Sequence, residues 1–275
     1  MAMENWNTQP SQKKASNLKQ KEITHFFAPK KDTSAVAVQR TTPEEGKKEE
    51  KKEEEGNVEI VQDLFPLSPI SQWPEIQFIM HRLENNSTVL WCQHFLTNKQ
   101  SELLFKELLG TMTFEQSEVN GTYGKYKIPR LQAWMADDGI DNKKASLFQS
   151  QPSKKWSNRM LYVKERIEQK LGVKFNYVLI NYYRDGRDHI SWHSDREAIE
   201  RKKNTIGSVS LGSPRKFLLR HLDHLNKPHL KPMEFTLTNG SLIVMKDDTQ
   251  KYWQHSIPKM NSCKTGRINL TFRSC

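Results

Sequence analysis

The spacing of apolar side chains predicts two helices in the first patterned part of the chain. Thr97 and Gln100 form a capping-box pattern, and apolar residues follow at helical spacing as far as Gly110. A second helical pattern runs from about Lys155 to Leu171, with one apolar face and with Gly172 as its expected end.

After Gly172 the apolar period changes to that of a strand. Residues 175–183 are rich in aromatic and β-branched side chains and have a period of two. Gly, Pro and Asn separate further strand patterns at Ile206–Leu211, Lys216–Arg220, Met233–Thr238, Ser241–Met245 and Arg267–Phe272. Many short strands joined by turns are typical of a β-sandwich or a jelly roll. We therefore predict an α+β fold in which helices precede a β core.

Residues 1–65 lack such a pattern and are predicted to form a disordered tail. Within this stretch, residues 44–55 read EEGKKEEKKEEE and have no apolar face. A segment of this kind cannot bury enough apolar surface to offset the entropy that it loses on ordering. An isolated, solvated helix is the alternative. The remaining residues, 66–275, have the length of one domain.

Composition narrows the class of protein. Only 35% of the 275 residues are hydrophobic, and no apolar run approaches the about 18 residues of a membrane span. Residues 1–30 contain no apolar core of a secretory signal, so we expect neither membrane insertion nor secretion. Cys92, Cys263 and Cys275 are too widely spaced for a disulfide framework, and this usage suits a reducing compartment.

Charge is distributed unevenly along the chain. The formal net charge is +11, but residues 1–65 contain 11 Lys and Arg against 12 Asp and Glu. The whole excess of positive charge therefore lies in residues 66–275. A basic domain suggests a polyanionic partner, although net charge alone does not identify it.

A pair of histidines and one carboxylate suggest a metal centre. His193 and Asp195 are two residues apart, so in a strand both point to the same face. With His255 they make the two-histidine, one-carboxylate set of non-haem Fe(II) oxygenases, which leaves open positions on the metal. His189 shares the parity of His193 and is a competing ligand. Ordinary polar surface is the other interpretation of these residues.

Two further strand patterns present polar side chains on one face. In the pattern near the C-terminus these side chains include two guanidinium groups, which suit recognition of carboxylates because each can bind in a bidentate way. The solvated outer face of an edge strand is the alternative. The polar positions of the two patterns are Asn181 and Tyr183, then Arg267, Asn269, Thr271 and Arg273.

Together these motifs resemble the AlkB family of Fe(II)/2-oxoglutarate dioxygenases, most closely its nuclear DNA-repair branch. The segments that carry the resemblance are VLINYYRDGRDHISWHSDRE, IGSVSLGSPRKFLLRH, NGSLIVM, WQHSIP and RINLTFR, and the resemblance covers about residues 120–273. It implies a double-stranded β-helix (jelly-roll) core with the N-terminal helices packed on it. It also implies one Fe(II) bound by His193, Asp195 and His255. The co-substrate 2-oxoglutarate would chelate this metal and be held by Asn181, Tyr183, Arg267, Asn269, Thr271 and Arg273.

The resemblance further implies a reaction. With O2 as co-substrate, the family oxidises N-methyl groups on bases and releases formaldehyde, succinate and CO2. The expected substrates are 1-methyladenine and 3-methylcytosine in DNA, and the expected product is the restored base. RNA demethylation is one alternative, and a non-catalytic nucleic-acid or clamp-binding module is another. The complete set of metal and carboxylate ligands argues against the second alternative.

An enzyme that acts on a base inside a duplex must extrude that base. Residues 122–125 resemble the family's finger loop, with Tyr123 as the wedge and Gly124 and Lys125 beside it, although a hairpin turn with a surface tyrosine is the alternative. Residues 129–134 resemble the substrate lid, where Arg130 can contact phosphate or the opposite strand.

The chain departs from the family after this lid. The expected Tyr-x-Tyr/Phe-Ser-Gly segment is replaced by residues 139–148. Phe148 or Trp134 is the candidate for the missing stacking side chain. Glu197 is the candidate for reading the exocyclic amine of the base, because Arg196 takes the place of a carboxylate found in some relatives.

The N-terminal stretch contains a candidate protein-binding motif at residues 20–27. Gln20, Ile23, Phe26 and Phe27 fit the pattern Q-x-x-I-x-x-F-F, which looks like the sliding-clamp binding box of replication and repair proteins. Stray aromatics that pack on the domain are the alternative. Flanking lysines suit nuclear import, and we expect a nuclear monomer.

Overall fold

Two antiparallel β-sheets form the core of the structure, a computed structural model that describes residues 64–67, 71, 73–121, 124–145 and 150–275. In chain order, the described strands are β1 (Ile79–Leu83), β2 (Ser87–Cys92), β3 (Glu118–Gly121), β4 (Gly124–Lys127), β5 (Leu131–Ala136), β6 (Tyr177–Tyr183), β7 (Ile190–His193), β8 (Ile206–Gly212), β9 (Arg215–His221), β10 (Met233–Leu237), β11 (Leu242–Asp247), β12 (Trp253–Ile257) and β13 (Arg267–Arg273). The described helices are α1 (Asn98–Thr111), α2 (Asn158–Leu171), α3 (Arg196–Glu200) and α4 (Thr249–Tyr252).

The strands are shared unequally between the sheets. The large sheet has the order β1-β2-β11-β8-β13-β6-β5, and the small sheet has the order β10-β9-β12-β7. Strands β3 and β4 pair only with each other and form a separate hairpin. This arrangement confirms the predicted α+β class with a jelly-roll core. The predicted order, in which helices precede the β core, was wrong, because β1 and β2 precede α1.

One face of the large sheet is covered by helices. On β13, Ile268, Leu270 and Phe272 are fully buried in one apolar cluster that also contains Leu104 of α1 and Met160 of α2. The alternate residues of β13 are also buried, but they are polar and face the small sheet across the sandwich. The period-two pattern of this strand therefore separates an apolar core from a polar inner surface.

The ends of the two long helices follow local sequence signals. Thr97 and Gln100 form the predicted capping box of α1, and Gly172 ends α2 in the left-handed conformation with φ of 66°. Gly110 was the wrong end for α1, because the helix continues to Thr111 and its cap is Met112. None of the helices in the described ranges is long and apolar enough to cross a membrane.

Seven of the described strands, β1 to β5, β7 and β12, were absent from the sequence prediction. The β1–β2 hairpin could have been predicted from the adjacent residues Asn85 and Asn86. In the structure both lie at the turn and both have positive φ. Asparagine tolerates this conformation and is common in tight hairpins. Strand β7 had no such signal, since it is only four residues long and half of it is polar.

Candidate active site and metal centre

Adjacent strands of the small sheet bring the two histidines together. His193 on β7 lies opposite His255 on β12, and their ring centroids are 4.1 Å apart. Asp195 follows directly after β7. One ligand atom from each of the three residues lies within 4.8 Å of the others, and this is the only such group among the described residues. The geometry can therefore hold one metal ion.

The protonation states of the histidines suit a cation. His193 Nδ1 lies 2.9 Å from the carbonyl oxygen of Ser191, so this nitrogen carries the proton and Nε2 is left with its lone pair. Burial lowers the pKa of His193, and burial and the neighbouring His193 lower the pKa of His255 to about 3. Both imidazoles are thus neutral at physiological pH, as metal ligands must be.

Asp195 is held in its charged form. Burial opposes its ionisation, but the positive charge and the hydrogen bond of Arg273 favour the carboxylate, and the pKa of Asp195 is lowered. Arg273 Nη2 lies 2.9 Å from Asp195 Oδ2, and the backbone N–H of Asp195 donates to Gln250 Oε1 at 2.9 Å. The aspartate is therefore both oriented and anionic.

A cavity of about 490 Å³ lies between the two sheets and contains the metal-binding group. Its inner wall, here called the cavity floor, consists of Asn181 and Tyr183 on β6 and Arg267, Asn269, Thr271 and Arg273 on β13. Its rim includes Val119 and Tyr126 from the β3–β4 pair, here called the mouth hairpin. The metal site thus lies between a buried polar surface and an exposed hairpin.

Strand pairing sets the cavity floor in register. Arg267 lies opposite Tyr183, and Asn269 lies opposite Asn181. All seven residues of β13 are buried, and the strand lies between β6 and β8. The alternative of a solvated edge strand is therefore wrong for this segment.

Arg267 is a buried cation with unused donors. Its guanidinium lies 5.2 Å from the ring of Tyr183 and donates through Nη2 to Ser210 Oγ at 2.9 Å. Its Nε and Nη1 are buried and have no hydrogen-bond partner. Burial lowers its pKa to about 10, so the group stays charged at neutral pH. A buried guanidinium with two free donors calls for an anion such as a carboxylate.

Asn269 differs from the other residues of the cavity floor. Its Nδ2 donates to Ser208 Oγ at 2.7 Å and to the carbonyl oxygen of Val209 at 3.2 Å. Its Oδ1 accepts from Thr271 Oγ1 at 2.9 Å. These contacts fix the orientation of its amide in the cavity wall, and its predicted contact with 2-oxoglutarate stays a prediction.

The residues fit the groups that the family resemblance implies. The Nδ1 atom of His255 is buried without a partner, as are Nε of Arg273 and the two atoms of Arg267. A divalent metal beside the histidines and a dicarboxylate against the arginines would satisfy this donor set. His189, the competing ligand, also lines the cavity, but its Nδ1 bonds the carbonyl oxygen of Arg187 and it lies outside the metal-binding group.

The predicted substrate residues have mixed outcomes. Arg130 and Glu197 line the cavity, and Glu197 forms an ion pair with Arg273. Gly124 and Lys125 lie at exposed positions on β4 and do not line the cavity. Tyr123 and Phe148 lie outside the described residues, as do the four residues of the clamp-binding motif at 20–27.

Trp134 requires a correction. It is only 2% exposed, packs with Tyr177 and Ala136, and donates through Nε1 to the carbonyl oxygen of Gln151. It does not line the cavity. A side chain buried in this way cannot stack on an incoming base, so the structure excludes Trp134 as the stacking platform.

Sequence reasoning missed several residues of the site. Tyr126 is 55% exposed at the rim, Gln132 contacts Asn181 inside the cavity, and Phe217 stacks on His255 with ring centroids 5.4 Å apart. Gln132 could have been predicted, because it is two residues from Arg130 in the lid segment and therefore shares its face in a strand. Phe217 had no signal, because its apolar position resembles any core position of a strand.

A jelly-roll core that holds two histidines and one carboxylate defines a mononuclear metal oxygenase. A family model described as "2OG-Fe(II) oxygenase superfamily" matches residues 88–273. The chain therefore belongs to this superfamily and, within it, to the AlkB family of dioxygenases. It is an enzyme of this class, and its cofactors are Fe(II) and 2-oxoglutarate.

Curated relatives support this assignment. "Alpha-ketoglutarate-dependent dioxygenase alkB homolog 3" of Bos taurus is 31% identical over 192 residues, which cover 68% of this chain and 66% of that protein. "DNA oxidative demethylase ALKBH2" of Bos taurus is 37% identical over 155 residues, which cover 55% of each chain. The protein of the same name in Arabidopsis thaliana is 30% identical over 213 residues, covering 70% of this chain and 67% of that protein. The chain thus spans between about half and two thirds of the length of these relatives.

A solved structure described as "The structure of OsALKBH1" also resembles the chain. The TM-score is 0.50 at 14% identity, and the match covers 72% of this chain and 100% of the solved one. At this identity the likeness concerns the fold alone.

Proposed function

We propose that this enzyme removes methyl groups from N-alkylated bases in DNA by oxidation, with 1-methyladenine and 3-methylcytosine as substrates. The observation that carries the proposal is the placement of the metal-binding group between a carboxylate-binding wall and an aromatic rim in one cavity. The relatives, which include two proteins named DNA oxidative demethylase, support it.

The protein's own task is to bind and orient the reactants. His193, Asp195 and His255 would hold Fe(II), and Arg267 with Arg273 would hold the carboxylates of 2-oxoglutarate. When bound, these groups with O2 supply the oxidation of the N-methyl carbon, which leaves as formaldehyde, while succinate and CO2 form. The buried walls exclude water from the reacting atoms, because the cavity floor is almost wholly inaccessible to solvent.

Recognition of a flipped base needs an aromatic surface near the metal. Tyr126 on β4 supplies one at the rim of the cavity. Both proposed lesions are cationic, and a tyrosine face attracts a cation. Arg130 and Glu197 both line the cavity, but Glu197 pairs with Arg273, so Arg130 is the side chain that we propose for polar contacts with the nucleotide.

The charge of the chain is consistent with a nucleic-acid substrate. Residues 66–275 carry the entire positive excess, and phosphate contacts account for much of the affinity of proteins for DNA. RNA has the same phosphate chemistry, so it is compared directly in the test.

Mass spectrometry of methylated oligonucleotides tests the proposed activity. Oligonucleotides with one lesion are offered as single-stranded DNA, duplex DNA and RNA, each with and without Fe(II) and 2-oxoglutarate. We expect loss of the methyl group in DNA only when both cofactors are present, with an equal amount of succinate. Demethylation of RNA alone would replace the DNA assignment, and succinate formation that no methylated strand stimulates would contradict it.

We further propose that residues 20–27 bind a replication sliding clamp and that the enzyme works in the nucleus. The pattern of Gln20, Ile23, Phe26 and Phe27 supports this proposal, since such apolar anchors in a polar segment suit binding in a groove. Phe26→Ala with Phe27→Ala should abolish calorimetric binding to the clamp but leave turnover on short duplexes unchanged. Unaltered clamp affinity in this variant would remove the basis of the proposal.

A further inference from the structure

Asn181 lies in a row of polar residues that crosses four strands of the large sheet. Strand register places Gln132 on β5 opposite Asn181 on β6, Asn181 opposite Asn269 on β13, and Asn269 opposite Ser210 on β8. All four residues are at most 8% exposed. The orientation of each amide in such a buried row is therefore set by its neighbours.

The orientation of the Asn181 amide follows from one contact. Arg130 Nε lies 2.9 Å from Asn181 Oδ1. An arginine Nε carries a hydrogen and no available lone pair, so it can only donate. The Asn181 atom that faces Arg130 must therefore be the amide oxygen.

The same reasoning extends to Gln132. Gln132 Nε2 lies 2.9 Å from the same Asn181 oxygen, so Gln132 must present its NH2 group there. Its Oε1 then faces the other way and accepts from Ser117 Oγ at 3.3 Å. These hydrogen bonds form a chain in which Ser117 donates to Gln132, and Gln132 and Arg130 both donate to Asn181 Oδ1.

The consequence is that the NH2 group of Asn181 is directed away from this chain. Within the described ranges, Asn181 Nδ2 donates to no protein atom, while the residue lines the cavity beside Tyr183 and Arg267. Asn269, its neighbour in the row, instead gives its Nδ2 hydrogens to Ser208 and Val209. Of the two asparagines, only Asn181 keeps an amide donor for a ligand.

We propose that Arg130 and Gln132 are positioning residues that hold the Asn181 amide with its NH2 group toward a carboxylate of 2-oxoglutarate. Without them the amide can rotate and turn its oxygen toward an anion, which is repulsive. The inference concerns 2-oxoglutarate and not the base, so it does not depend on the proposed DNA substrate.

The first test compares Gln132→Leu with the unaltered enzyme. Leucine has a similar volume but cannot donate a hydrogen bond. The substitution therefore removes the bond from Gln132 to Asn181 Oδ1 and largely keeps the packing. We expect affinity for 2-oxoglutarate to fall by about tenfold, the effect of losing one hydrogen bond to a charged group. The measurement is calorimetric titration of the full chain with 2-oxoglutarate in the presence of Mn(II), which needs no turnover.

A double-mutant cycle shows whether Gln132 acts through Asn181. Asn181→Ala should also weaken binding, and adding Gln132→Leu to it should cause no further loss. If the two losses instead multiply, or if Gln132→Leu binds 2-oxoglutarate as tightly as the unaltered enzyme, the proposal is wrong.

Gln100 offers a matched control. It is as buried as Gln132, at 8% against 7%, but it lies in the capping box of α1 and contacts Leu64 and Tyr162. Gln100→Leu should lower the melting temperature and leave affinity for 2-oxoglutarate unchanged. An equal loss of affinity in this control would mean that general destabilisation explains the result.

A second variant covers the case in which Gln132→Leu does not fold. Gln132→Glu keeps the shape, but its carboxylate cannot donate to Asn181 Oδ1 and adds a negative charge near the ligand. We expect a greater loss of affinity than for the leucine variant, seen as a rise in KM for 2-oxoglutarate with little change in kcat. A fall in kcat at unchanged KM would overturn the positioning role.

Discussion

The cavity floor and the mouth hairpin bound the same cavity but are built in opposite ways. Every residue of β13 is buried and the strand lies between two neighbours, whereas every residue of β4 is exposed and β4 pairs only with β3. The floor holds its polar side chains in strand register with their partners fixed. The hairpin presents Tyr126 with more than half of its surface accessible.

This difference matches a division of function. The cavity floor serves the cofactors, which are the same for every substrate, and the mouth hairpin serves the base, which differs between substrates. Binding of Fe(II) and 2-oxoglutarate requires fixed geometry, which a central strand of a packed sheet provides. Binding of a base requires access and adjustment, which an exposed hairpin allows. We therefore expect substitutions on the floor to affect the cofactors for all substrates and substitutions on the hairpin to affect the base alone.

The greatest effect is expected from removal of a metal ligand. His193→Ala should lower formaldehyde release by about a thousandfold or more, since it removes several kcal/mol of stabilisation from the metal-assisted step. Formaldehyde release and Mn(II) binding are measured together. The control is His189→Ala, which changes a cavity histidine outside the metal-binding group and should retain Mn(II). Loss of Mn(II) in the His189 variant instead would reverse the choice of ligand.

The next effect is expected at the floor. Arg267→Met should weaken binding of 2-oxoglutarate by about a hundredfold, because two charge-assisted hydrogen bonds of roughly 1.5 kcal/mol each are lost. The measurement is KM for 2-oxoglutarate, determined once with methylated DNA and once from turnover of 2-oxoglutarate without DNA.

Arg215 is the matched control for Arg267. Both arginines are 1% exposed and lie over the ring of Tyr183, but Arg215 donates to the backbone carbonyls of Asp185, Asp188 and Pro258. Arg215→Met should therefore reduce stability and leave KM for 2-oxoglutarate nearly unchanged. Equal increases in KM for both variants would show that a buried guanidinium beside Tyr183 is sufficient, and that the position of Arg267 in the cavity floor does not matter.

A moderate effect is expected at the mouth hairpin. Tyr126→Ala should lower kcat/KM for methylated DNA by about tenfold, within the roughly 1–3 kcal/mol measured for stacking of one base. Tyr126→Phe keeps the ring and should retain most of the activity. Turnover of 2-oxoglutarate without DNA should be the same in all three proteins. A parallel fall in this uncoupled turnover would remove the distinction between hairpin and floor.

The smallest effect on catalysis is expected from Glu168 on α2, which lies outside the cavity. Burial opposes ionisation of Glu168, but hydrogen bonds from Phe175, Lys174 and Lys164 outweigh it and lower its pKa from the usual 4.5. The unfolded chain therefore takes up this proton at higher pH than the folded one, so the stabilisation is present above 4.5 and is lost as the pH falls below it. Glu168→Gln should lose stability at neutral pH, show a weaker fall in acid, and keep KM for 2-oxoglutarate. Urea unfolding across this range measures the effect, and an unchanged acid profile would contradict it.

The same contrast explains what could be predicted from sequence. The regular alternation of β13 was readable, because strand geometry converts parity directly into a shared face. The His-x-Asp spacing correctly indicated a metal-binding pair, but for a different reason than strand parity, because Asp195 lies beyond β7 at the N-cap of α3. The Gln132–Asn181 contact depends on which strands become neighbours, and parity does not determine that. Trp134 was misassigned for the same reason: it shares parity with Gln132, yet it is buried in a separate apolar cluster with Tyr177 and Ala136 and does not line the cavity.

The central claim is that one cavity couples oxidation of 2-oxoglutarate to demethylation of a base in DNA. The most direct measurement follows succinate and demethylated product together, by mass spectrometry, on a 3-methylcytosine oligonucleotide. We predict that the two form in equal amounts with the unaltered enzyme, and that Tyr126→Ala lowers the demethylated product relative to succinate. Succinate that forms at the same rate with and without the methylated strand, and no demethylated product, would contradict the account.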